Sequence, residues 1–255
     1  MEATFYAGTL FVLATTTVLA YVGLLQQRRA SGTEGDRAAI YAFAMWWYAA
    51  AAVLFLLALQ ALLVLVGVET VLLHNVIRYI RMGPLSIAAG SLLFFMLYLL
   101  TGRMVWRRWL VAAYSAFLAF TIYYAYLAEP VTVEVTAWAV RTVGTPVPSW
   151  MVIVFGVLLA GPILLATFAY ATLFFKVQDA RQRYRLALLA ISFIVWFGAI
   201  LVGFLAGLTS RDWFPILYEA PGLLAGLLVI LAYQPPQWIQ RRLAATSAES
   251  DAQTA

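Results

Sequence analysis

Seven stretches of the chain, about 4–25, 38–68, 82–101, 109–128, 150–175, 186–208 and 213–233, are continuously apolar. Each reaches the roughly 20 residues that an α-helix needs to cross a bilayer core of about 30 Å. Together they use up most of the 255 residues, and the composition follows: 65% hydrophobic and 11% charged. Soluble domains average about 45–50% apolar and about 25% charged, so a water-soluble globule is excluded. The expectation is an all-α, polytopic seven-transmembrane-helix bundle in the cell membrane, a multi-pass protein whose first partner is the lipid bilayer. Residues 1–242 form one domain in this reading, and 243–255 form a small polar tail expected to be disordered. The start, Met1-Glu2-Ala3, has no basic segment, so the first span reads as a retained helix and not a cleaved signal.

The direction of the bundle follows from its basic residues. Arg28, Arg29, Arg37, Arg103, Arg107, Arg108, Lys176, Arg181, Arg183, Arg185, Arg241 and Arg242 fall on one side of the seven spans. Only Arg78, Arg81, Arg141 and Arg211 fall on the other. The richer side is expected to be cytoplasmic, which puts the N-terminus outside and the C-terminus inside. Aromatic residues stand where interfacial anchors belong, with Trp106, Trp109 and Trp238 inside and Tyr123, Tyr124, Tyr126, Trp150 and Trp213 outside. The inner loops QQRRASGTEGDR, GRMVWRR and KVQDARQRYR set topology and attract anionic headgroups; a cytoplasmic protein partner is the sharper reading of the same charges. Despite a pI near 9.6, no nucleic-acid partner is expected.

Two outer segments differ from the rest. Residues 130–136 alternate Val131, Val133, Val135 with Thr132, Glu134, Thr136, a strand pattern. With 140–143 and the turn residues Gly144, Pro146 and Pro148, a small extracytoplasmic β-hairpin or lid is expected between helices 4 and 5. Residues 69–81 carry Leu72, Leu73, Val76, Ile77 and Ile80 at helical spacing, as either an interfacial helix or an outer extension of helix 3.

Chemistry-bearing residues are few. The chain has no cysteine and one histidine, so disulfides, thiolate clusters and bis-His haem are excluded, and no cofactor or metal is expected. No metalloprotease helix, phosphate loop or nucleophile elbow occurs, and the chain reads as a binder more than an enzyme. Glu219 is the one acid well inside a span, about 9 Å into helix 7. It either pairs with Arg78 or Arg81 at similar depth, acts as a protonatable group, or is hydrated. Tyr218 adjoins it. His74 sits with Asn75 on the polar side of the outer segment, as a hydrated interfacial residue or a pH-sensitive ligand. Gly203-x-x-x-Gly207 and Gly222-x-x-x-Gly226 permit close helix packing, and Pro84, Pro162 and Pro221 interrupt helices 3, 5 and 7.

In helix 3, Arg78-Tyr79-Ile80-Arg81-Met82-Gly83-Pro84-Leu85 resembles the Asp-Trp-x-x-Thr-Thr-Pro-Leu run of microbial rhodopsins in its aromatic and its Pro-Leu. Helix 7 has no lysine, so the resemblance does not extend to a retinal Schiff base or to light-driven function. The orientation is also similar to that of small sugar transporters built of three, one and three helices. Gly83-Pro84-Leu85 and Ala220-Pro221-Gly222 hold corresponding places there, but Pro162 in helix 5 has no counterpart in helix 1. The leading expectation is a receptor-like sensor of a small apolar ligand that couples to a cytoplasmic partner. A small-solute or proton-coupled carrier using Glu219, and a structural subunit of a membrane complex, are the competing ones.

Overall fold

The computed structural model describes residues 3–30, 37–103, 106–127, 130–136, 139–144, 148–209 and 214–244, with the side chains of 106, 107, 110, 113, 130, 131, 141–144, 200 and 202–219 outside that description. The order is α1 (Ala3–Ala30), α2 (Arg37–Leu65), α3 (Val71–Thr101), α4 (Trp106–Leu127), β1 (Pro130–Val135), β2 (Val140–Gly144), α5 (Ser149–Lys176), α6 (Ala180–Thr209) and α7 (Phe214–Tyr233). A short α8 (Gln237–Ala244) follows, bent 51° from Ala220–Tyr233. Among the described residues α1, α2, α3 and α5 are long and apolar enough to cross a membrane; the bent α7–α8 pair makes a fifth if it counts as one span. Large apolar side chains also stand on the outside of the bundle, Phe168 at 68% and Phe175 at 82% exposure. Such surfaces are at home against lipid and not against water.

The helices close into a ring: α1 packs on α2 and α7, α2 on α3, α3 on α5, α5 on α6, and α6 on α7, while α4 lies mainly along α3. Local signals explain the ends. Gly67, at φ 79°, terminates α2, with Val68 N–H donating to the Leu63 carbonyl (2.8 Å) and Gly67 N–H to Val64 (3.0 Å). Only a residue free to adopt the left-handed region closes a helix this way. The segment at 69–81 is the extension of helix 3, because α3 runs unbroken from Val71 through Pro84. Between α5 and α6 the connection is much shorter than the basic loop 176–185 that the charges suggested. The Asp179 carboxylate accepts the N–H groups of Gln182 (3.0 Å) and Arg181 (3.4 Å) and so caps α6 early. Residues 243 and 244, expected in a disordered tail, complete α8; 245–255 lie outside the described residues.

β1 and β2 pair antiparallel, with Glu134 opposite Arg141 and Val133 opposite Thr142. Val140 packs with Phe5, Ala61, Val64 and Leu65, which ties the pair to the end of the bundle where α1 starts and α2 finishes.

The core is an aromatic slab between α2 and α6. Phe43 stacks on Phe95 (4.6 Å between centroids), Tyr170 on Phe193 (5.6 Å), and Trp46 and Trp47 each meet Trp196 edge-on (5.7 and 6.0 Å). Pairs of this kind contribute about 0.5–1.5 kcal/mol each beyond simple burial. Polar side chains inside the bundle mostly bond to helix backbone. Thr15 donates to the Phe11 carbonyl (2.9 Å) and Ser86 to Met82 (2.9 Å), while Ser192 crosses from α6 to the Ala225 carbonyl of α7 (3.0 Å).

Glycines set the closest helix approaches. A side chain at Gly226 would meet Val18 Cγ1 of α1 at 2.7 Å, and one at Gly90 would overlap the Tyr114 ring of α4. Gly83, in the same helix as Gly90, faces open space. Gly90→Ala is therefore expected to destabilise the purified protein by about 1–3 kcal/mol through overpacking. Gly83→Ala should leave the melting temperature level or slightly higher, since alanine favours helix by about 0.5–1 kcal/mol. Thermal unfolding followed by circular dichroism separates the two.

Candidate functional site

Small residues on four helices leave the interior underfilled. Ala50 of α2, Ala88 and Ala89 of α3, Ala199 of α6 and Gly222 of α7 all line a cavity of about 450 Å³. Interiors normally pack with few voids larger than a water molecule, and small-molecule sites span about 300–1,000 Å³, so this volume is of ligand size. On α3 the lining runs from Arg78 to Ala89 and on α2 from Trp46 to Leu57. At 1.5 Å rise per residue each run is about 16 Å long, so the cavity is elongated along the bundle axis.

Its two ends differ in chemistry. Arg78 and Arg81 stand one turn apart on the same face of α3 and line the end near the start of that helix. Both are half-buried and both are engaged in polar or electrostatic interactions. Arg78 lies within electrostatic reach of Tyr124 on α4. The Tyr124 ring stacks on Phe155 of α5 at 4.8 Å and 11°, and both rings form wall. Toward the other end the lining is apolar and aromatic, with Met82, Leu85, Ile163, Trp196 and Trp46. The Trp46 indole Nε1 is buried without a hydrogen-bond partner, which leaves a donor on a cavity-lining side chain.

The structure thus brings Arg78, Arg81 and Gly222 to one cavity. An added Cβ at Gly222 would make ordinary contacts, 3.4 Å from Trp196 Cζ3 and 3.5 Å from Thr15 Cγ2. Gly226 serves packing against α1 instead. Tyr218 and Glu219 belong to the α7 backbone and Gly203 and Gly207 to that of α6; their surroundings lie outside the described residues. His74 differs from expectation. It is fully buried, not hydrated at an interface, and does not line the cavity. The reason is local: its Nε2 is 3.3 Å from the Val68 carbonyl, and Gln60 Nε2 donates to its own carbonyl (3.1 Å), which folds the ring under the α2–α3 turn. Sequence reasoning missed Trp46, Phe155 and Trp196 and read Tyr124 as an interfacial anchor, since an aromatic lining a void has the same residue type as one filling a core or facing a headgroup. The available signal was the set of alanines on neighbouring helices.

No three His, Cys, Asp or Glu side chains among the described residues come together as a metal site. Sequence comparison matches the chain to no family model and to no curated protein.

Because Ala199 borders open volume, Ala199→Leu should be tolerated, with an unchanged or higher melting temperature. Ala166→Leu, at a position with 0% exposure inside the filled core, should lower stability by about 1–3 kcal/mol. Equal losses in both variants would show that the cavity does not exist in solution.

Proposed function

We propose that this chain is a seven-span protein of the cell membrane, N-terminus outside, that binds a small, largely apolar ligand inside its helix bundle and couples to a cytoplasmic partner. The elongated cavity carries the reading: ligand-sized, mostly apolar, walled by α2 to α7 and polar at one end. The charge bias across the spans supports the orientation, and the bent α7–α8 pair together with α4 and α6 supplies the spans beyond α1, α2, α3 and α5. In this orientation the β1–β2 pair covers the outer end, and Arg78 and Arg81 receive the polar end of a ligand that enters from that side or from the bilayer. The basic segments at the opposite end would meet the partner. Among the described residues that line the cavity, convergent hydrogen-bonding side chains are sparse, which favours an apolar ligand over a polar solute.

Two measurements test this. N-phenyl-1-naphthylamine, an apolar fluorophore, should bind the purified protein saturably and accept energy from Trp46 and Trp196. Ala89→Phe should remove the saturable component while the protein stays folded. Partitioning that is non-saturable and identical in Ala89→Phe would reject the binding reading. Proton or solute flux in proteoliposomes that is lost in Glu219→Gln would replace it with a carrier.

Topology is checked separately. Because the chain has no cysteine, Glu134→Cys and Gln240→Cys each carry a unique thiol. A membrane-impermeant maleimide should label the first in intact cells and the second only after permeabilisation.

A further inference from the structure

A second pocket, of about 290 Å³, lies at the opposite end of the bundle from Arg78 and Arg81. Its polar wall is the last part of α1, with Gln26, Arg28 and Arg29, closed by Tyr233 at the end of α7. Its apolar wall is Ile40 and Phe43 of α2 and Phe95 of α3. The Arg29 guanidinium is spread over the Tyr233 ring, 4.2 Å from its centroid, which holds it at the rim.

Two independent observations indicate what the pocket takes. Gln26 is only 2% exposed and lines the pocket; its side chain lies beside the Tyr233 hydroxyl, but its amide Nε2 completes no hydrogen bond of good geometry. A buried, unsatisfied donor costs free energy unless something accepts from it. The second is an accumulation of like charge. Arg185, at the start of α6, has its pKa held below the ordinary arginine range by burial first and then by Arg29 and Arg181, with Tyr233 and Asp179 acting the other way. Asp179 is the one carboxylate among the described residues that acts on Arg185, and it already caps α6. Cations therefore crowd this end.

We propose that this pocket binds a phosphate group, with Arg28, Arg29 and the Gln26 amide as its donors. Guanidinium forks and an amide N–H match a group with several acceptor oxygens better than a single-oxygen ligand. The phosphate comes either from an anionic lipid headgroup or from free phosphate. Basic pockets between helices at a membrane surface hold lipid headgroups in this manner, and Ile40, Phe43 and Phe95 would flank the acyl end. The site does not depend on whether the central cavity binds anything.

The test uses the full chain in phosphate-free detergent. Thermal unfolding is followed while phosphatidylglycerol, phosphatidylcholine or inorganic phosphate is titrated in. Phosphatidylglycerol should raise the melting temperature and phosphatidylcholine should not. Arg29→Gln and Gln26→Leu should each weaken the midpoint of that response about tenfold or more, as expected for loss of one charge-assisted contact. Arg103→Gln, an exposed arginine away from the pocket, should not change it. Because the Gln26 side chain also lies beside the Tyr233 hydroxyl, each variant's lipid response is read as a shift from its own lipid-free melting temperature, and a cooperative lipid-free transition separates lost binding from misfolding. Stabilisation by inorganic phosphate alone identifies the free anion as the source; stabilisation only by phosphatidylglycerol identifies the lipid. No stabilisation by either, or equal weakening in Arg103→Gln, overturns the proposal.

Discussion

The interior of this bundle is organised by the aromatic slab of Phe43, Trp46, Trp47, Phe193 and Trp196. In an apolar environment helices gain little from hiding apolar side chains, so their association rests on dispersion contacts and close fit. Large rings supply many such contacts at once. The slab joins α2 to α6 across the ring of helices, with Phe95 of α3 and Tyr170 of α5 stacked onto it. It also divides the interior. Trp46 and Trp196 belong to the lining of the central cavity, while Phe43, one turn earlier on α2, belongs to the lining of the basic pocket.

Around the slab, the fit alternates between surplus and shortage of volume. Gly90 admits the Tyr114 ring, Gly23 lies against the Tyr48 ring, and Gly226 admits Val18 of α1; at these places the helices touch closely. Ala50, Ala88, Ala89 and Ala199 are similarly small, but they border the open volume of the cavity. The same residue types thus produce tight contact in one layer and open volume in the next. Which outcome follows depends on what the facing helix presents, a relation between segments distant in sequence.

That relation marks what could be read from the chain by itself. The helices were legible because long apolar runs have few other solutions, and the alternation of Val131, Val133 and Val135 lies in a paired strand. Arg78 and Arg81 stood out because charge is rare in such a chain, and both line the cavity. Rarity misled at His74: polarity suggested exposure, but within the fold the Val68 carbonyl meets its ring Nε2 and Gln60 donates to its backbone carbonyl. The early start of α6 was written in Asp179, a capping residue among basic neighbours whose charges drew attention to the loop. The void and its aromatic walls were not legible, because no residue type distinguishes a side chain that borders empty space from one that borders another side chain.

The two pockets sit on opposite sides of one packed layer, and this limits how they can influence each other. A ligand in the central cavity touches Trp46 and Trp196 but not Phe43. For its arrival to reach the basic pocket, the slab must have two arrangements of different energy, and the ligand must favour one of them. Trp46 and Phe43 share α2 at a spacing of three, so a rotation of that helix would move both rings together. Phe43 stacked on Phe95 would then shift the apolar wall that both rings contribute to the basic pocket. Sliding of α3 alone would move Phe95 and leave Trp46 in place. Three helices line both pockets, with Trp46 and Phe43 on α2, Ala89 and Phe95 on α3, and Gly222 and Tyr233 on α7, so coupling between the pockets would run through movement of these shared helices, and the slab is the element whose packing either permits or prevents it.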